Sequence, residues 1–80
     1  MAYKRLFEIN SRWGLSYDKN QWVISKISGD KWIPRSYIGS DLTMLRVALK
    51  RLGCQPTKKG EKALSGLKHR FLDWLESKAD

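Results

Sequence analysis

Between residues 46 and 62 the chain sets Arg46, Lys50, Arg51, Lys58, Lys59 and Lys62 against a single acid, Glu61. Cations at this density can neutralise phosphates or pair with an acidic protein surface. Arg46 and Lys50 are i,i+4 neighbours, so they share one face of any helix that runs through them. Arg51, near the end of that helix, also complements its dipole, which is a structural use rather than a binding one. Lys58 and Lys59 have no such use, because they open the following helix, where cations are mildly unfavourable. Over the whole chain, sixteen Lys and Arg against eight Asp and Glu give a net charge of +8. The expected partner is therefore anionic: nucleic acid, a membrane surface or an acidic protein.

A second constellation is aromatic. Trp13, Trp22 and Trp32 each sit in a short strand-like run, and Arg35 and Tyr37 follow Trp32 closely. Exposed rings interleaved with cations would form a stacking platform for single-stranded nucleic acid. The competing reading is that the rings are core, since a chain of 80 residues needs large buried side chains. Trp32 and Arg35 join the six cations as candidate contacts, provided that they lie on a sheet face the helices leave open.

Other chemistries lack their parts. Cys54 and His69 are the only Cys and His, so no typical four-ligand zinc site is expected. His69 is read as a solvated helix residue beside Asp73, its i+4 neighbour. Cys54 has no adjacent base, and a half-buried structural thiol is the expectation. No carboxylate pair and no Gly-Lys-Ser/Thr loop is present. No enzyme activity, cofactor, metal or small-molecule substrate is expected. A single Cys allows no internal disulfide and suits a reducing compartment. With no signal-like or spanning apolar run, and no helix with a broad apolar face bordered by cations, the expected location is cytoplasmic, away from membranes.

The elements that must position these residues change period once. Residues 1–39 read as a β-meander. Tyr3 to Ile9 alternates, with Tyr3, Phe7 and Ile9 on one side and Lys4, Leu6 and Glu8 on the other. Trp13 to Tyr17 alternates again, and the turn Asp18-Lys19-Asn20-Gln21 follows. Gln21 to Ser28 is rich in aromatic and β-branched residues. Ser28-Gly29-Asp30-Lys31 closes a hairpin, and Trp32 to Ile38 returns as an edge or irregular strand, because Pro34 cannot donate to a ladder.

Residues 40–80 read as two helices. Ser40 or Asp41 caps the first, with its seam at Leu42, Leu45, Leu49 and Leu52 and its stop at Gly53. Pro56 separates it from a second helix, capped by Thr57 or starting nearer Glu61, with its seam at Leu64, Leu67, Phe71, Trp74 and Leu75. Gly60 and Gly66 should weaken its first half, and Ser77 to Asp80 should fray. The expected architecture is one α+β domain over residues 1–80: a three- or four-stranded antiparallel sheet, then two helices packed on one face.

The residues Trp22-Val23-Ile24, Lys31-Trp32, Ser36-Tyr37, Ser40, Leu42, Leu45 and Leu49 resemble a pattern in small accessory proteins encoded by phages and prophages. The resemblance covers about a third of the chain. It implies a mobile-element context but assigns no functional residues. The expected function is a small, basic, non-enzymatic binding protein acting on nucleic acid or a nucleoprotein complex. The alternative is a phage-encoded protein inhibitor of a host defence complex, of the anti-CRISPR kind, acting by protein–protein binding. A helix-turn-helix regulator turning at Gly53-Cys54-Gln55-Pro56 is a minor third reading.

Overall fold

The computed structural model describes residues 3–78. Strands β1 (Lys4–Glu8), β2 (Trp13–Tyr17), β3 (Trp22–Ser28) and β4 (Lys31–Ile38) precede helices α1 (Leu42–Arg51), α2 (Lys58–Ser65) and α3 (Phe71–Lys78). The strands pair antiparallel in chain order as an open meander. The α+β class is as expected from the sequence. The helices number three rather than two.

Each hairpin is closed by local chemistry. At β1–β2, the Asn10 side-chain oxygen accepts from the backbone N–H of Arg12 at 2.8 Å and of Trp13 at 2.9 Å. At β2–β3, Asp18 Oδ1 accepts from the N–H of Asn20 and Gln21. These are the local bonds that favour Asn and Asp in turns. At β3–β4, Gly29 takes a φ of +63°, as the first central residue of a type II′ turn requires.

Leu15 and Ile24 are register partners and both are fully buried. With Ile9, Trp22 and Ile38 they form the sheet's share of the core, against Leu45, Leu49, Leu64 and Phe71 from the helices. Trp22 meets Phe71 edge to face, with centroids 5.2 Å apart and planes at 85°. Such a pair adds about 0.5–1.5 kcal/mol beyond its buried area. Among the described residues the Trp22 indole N–H has no hydrogen-bond partner, and a buried donor left so costs about 1–3 kcal/mol.

Irregularities in the edge strands change the simple alternation. The β1–β2 register shifts between Arg5 and Phe7, so Leu6 is an extra residue. Leu6 and Phe7 consequently both pack against the core, although strict alternation would place them on opposite sides. In β4, Ser36 pairs with Ile24 and Pro34 with Ser25, which leaves Arg35 unpaired in a bulge. Pro34 thus sits at an edge-strand irregularity, as its missing N–H requires.

Asp41 caps α1, accepting from Met44 N–H at 2.9 Å. At the other end Cys54 N–H bonds Leu49 O and Gly53 N–H bonds Lys50 O, while Gly53 has a φ of +73°. This is the Schellman motif. Thr57 caps α2 at Gly60 N–H, so that helix starts at Lys58 and not nearer Glu61. Its backbone N–H also bonds Ile9 O at 3.0 Å. A Cβ on Gly60 would collide with the carbonyl of Ile9, so the glycine permits a close helix–strand contact.

The second expected helix divides because residues 69–71 pair elsewhere. Leu42 N–H bonds His69 O and Phe71 N–H bonds Ser40 O, around an antiparallel bridge between Asp41 and Arg70. Backbone groups used in that bridge are not free for a continuous helix, and Gly66 caps α2 instead. His69 consequently lies outside any helix, with Nε2 4.0 Å from Asp41 and not beside Asp73. Ser77 and Lys78 belong to α3, and Lys78 Nζ lies over the rings of Tyr17 and Trp74 at 5.5 and 5.8 Å. Ala79 and Asp80 fall outside the described residues.

Candidate functional site

With Leu15 and Ile24 facing the helices, alternation turns Gly14, Ser16, Val23 and Ser25 to the opposite face. Val23 is 0% exposed and Ser16 and Ser25 are each 1% exposed, yet none belongs to the cluster that contains the buried helix residues. For Gly14 the cover is a side chain of the sheet itself. The Trp32 ring lies over Gly14, where any Cβ would strike its six-membered ring. Arg5 reaches across from β1, its Cζ 4.9 Å from the centroid of Trp32 and Nη2 donating to the Asp30 carbonyl at 2.8 Å. Trp32 is therefore half-buried, packed on Gly14 and attended by a guanidinium that is itself tethered.

Tyr37 extends this face. It pairs with Val23 in register, is 52% exposed and has Tyr3 beside it at 6.2 Å between centroids. Glu8, the register partner of Gly14, brings one negative charge to the same face. Of the tryptophans, Trp22 is core, Trp13 and Trp74 pack against the core, and Trp32 alone is on the open face. Sequence reasoning named Trp32 but not Arg5 or Gly14. A glycine inside a strand is a usable signal for close approach by another group; nothing local marks Arg5.

The cation cluster divides. Arg46 is bound to Glu61 by a bidentate pair, Nη1–Oε1 at 2.9 Å and Nη2–Oε2 at 2.6 Å. Hydrogen bonds from Arg46, and then from the Ser65 hydroxyl, hold the Glu61 carboxyl below its usual range. The stability this adds is present at neutral pH and is lost as pH falls through the lowered pKa. Arg46 thus clamps α1 to α2. Lys50 shares its flank of α1, whereas Met44, Val47 and Arg51 line a groove against β4.

On α2, Gly60 and Leu64 are buried, so Lys58 and Lys62 point to solvent away from the sheet, with Lys59 exposed on the flank opposite Glu61. Among the described residues none of Arg35, Lys50, Arg51, Lys58, Lys59 and Lys62 has an ion-pair partner. The structure brings Arg35 and Arg51 to one groove and Lys58 and Lys62 to one ridge. It does not bring the α2 lysines to Trp32, because α2 belongs to the layer on the sheet's other side.

Cys54 is 5% exposed, and burial pushes its thiol up to about 11. It remains protonated near neutrality and accepts a long contact from Asn10 Nδ2 at 3.7 Å, as a packed thiol rather than an activated one. Among the described residues no group of three or more His, Cys, Asp or Glu could hold a metal ion, and no helix is long and apolar enough to cross a membrane. No protein-family model, curated protein or solved structure matches this chain.

Proposed function

We propose that this protein binds single-stranded nucleic acid, free or within a nucleoprotein complex, on the outer face of its sheet. The observation that carries this reading is the ordered pair of Arg5 and Trp32, with the half-exposed Tyr37 on the same face. Bases stack on guanidinium planes and aromatic rings whatever their sequence, since every base has a π-face. One N–H of Arg5 is taken by Asp30, and the remaining donors serve phosphate oxygens. Arg35, exposed in the β4 bulge, is the adjacent cation. Glu8 repels phosphate, so the strand runs on the Arg5–Tyr37 side. Lys50, Lys58, Lys59 and Lys62 act from the other layer, adding long-range attraction through the net charge of +8.

The test is fluorescence anisotropy with a labelled oligothymidylate of about ten nucleotides. Affinity should fall steeply between about 50 and about 200 mM salt. Arg5→Gln and Tyr37→Ala should each weaken binding with the fold intact. Undetectable binding at low salt would sink the reading altogether. Binding that survives both substitutions but fails when Lys58 and Lys62 become Ala would move the site to α2.

A further inference from the structure

From the groove between β4 and α1 we infer a second binding surface, one that takes a short, extended, acidic segment of a protein partner. Among the described residues β4 pairs only with β3, which leaves the backbone N–H and C=O groups of its far edge without a strand partner. Natural edge strands are usually blunted. Here Pro34 and the Arg35 bulge blunt the first half, while the stretch after Ser36 is regular and open. Beside it α1 presents Met44, 48% exposed, and Val47, 37% exposed. Together with Tyr37, Ala48 and the two arginines, Arg35 on β4 and Arg51 on α1, they line one groove.

Three features select the occupant. Among the described residues the groove's lining includes no Asp or Glu, and neither arginine has a carboxylate partner. Arg46, by contrast, is already satisfied by Glu61. Two unpaired guanidiniums flanking a groove fit carboxylates, which they can bind through paired N–H donors. The α1 wall is aliphatic, and methionine adapts to varied apolar side chains; phosphates and bases gain little from Met44 and Val47. The open edge, finally, accepts a strand by backbone pairing. A strand added at Ser36–Gly39 would set alternate side chains against Met44 and Val47, with its acidic residues reaching Arg35 and Arg51. This surface adjoins the outer face but does not depend on nucleic acid binding there.

The experiment is a titration of the ¹⁵N-labelled protein at low salt with a terminally blocked synthetic peptide alternating Glu with Val. A lysine-for-glutamate version is the control. Amide shifts should concentrate at Ser36–Ser40 and along Met44, Val47 and Arg51. The control should not bind, and Arg35→Ala with Arg51→Ala should weaken binding by about tenfold or more. Thermal unfolding of the double variant checks that its fold persists. The inference is overturned by shifts that are absent or centred on Gly14 and Trp32. Equal binding of the lysine peptide, or an unaffected double variant, overturns it too. If an oligothymidylate shifts the same groove amides and displaces the peptide, the groove belongs to nucleic acid instead.

Discussion

On its inner face the sheet offers Leu15, Trp22, Ile24 and Ile38 to the helices; on its outer face Trp32 covers Gly14, and Ser16, Val23 and Ser25 are buried alongside. Both faces bury residues completely. The inner one does so with large apolar side chains from separate elements, which makes it the folding core. The outer one pairs small residues beneath with one indole, a tethered arginine and two tyrosines above. A layer only one side chain deep adds stability, but its upper surface stays in water. There, planar groups and a positive charge are available to a ligand.

The largest effect that would sharpen this contrast is on the inner face. Trp22→Ala should cost about 3–5 kcal/mol in chemical denaturation and leave little folded protein. Trp22→Phe should cost markedly less, because it keeps an aromatic ring against Phe71. Equal losses would mean that this ring contact contributes nothing to the core.

Next in size is Gly14→Val, which must expel the Trp32 ring. Its expected cost is about 1–3 kcal/mol, accompanied by a shift of the Trp32 indole signal in the NMR spectrum. An unshifted indole would break the description of the outer layer. A third effect separates the two regions by pH. Cys54 packs with the inner core, and its folded pKa of about 11 lies above the ordinary value of 9.0. Stability should be full below pH 9 and decline toward pH 11 as the unfolded thiol ionises first, by about 1–2 kcal/mol. Cys54→Ala should flatten that decline, measured as the urea midpoint against pH.

The smallest effect on stability should come from Tyr37→Ala, within about 0.5 kcal/mol. The same change should lower oligothymidylate affinity by about 1–3 kcal/mol if a base stacks there. A variant that loses stability and keeps affinity would reverse the assignment and make Tyr37 structural.

Much of this layout is legible from residue order. The alternation of Trp22 to Ile27, the turn residues Asp18 and Gly29, the Asp41 cap and the Gly53 stop each reflect interactions within a few residues. The break between α2 and α3 is not legible in that way. Leu64, Leu67, Phe71 and Trp74 keep helical spacing across it, and only the pairing of residues 69–71 with 40–42 interrupts the helix. Gly60 reads as a weak helix position until Ile9 is seen against it. Of the candidate contacts, Trp32 lies half-buried on the open face of the sheet, while Arg46 proved to be committed to Glu61, fifteen residues away.

The order of strands and helices, the local caps, the net positive charge and the single thiol are properties of the sequence alone, because short-range geometry and composition decide them. Which cations stand together, which tryptophan leaves the core and which glycine makes room for it were decided only by the tertiary structure. Those relations join residues far apart in the chain, Arg5 to Trp32 and Arg35 to Arg51, and depend on how the sheet pairs and which of its faces the helices occupy.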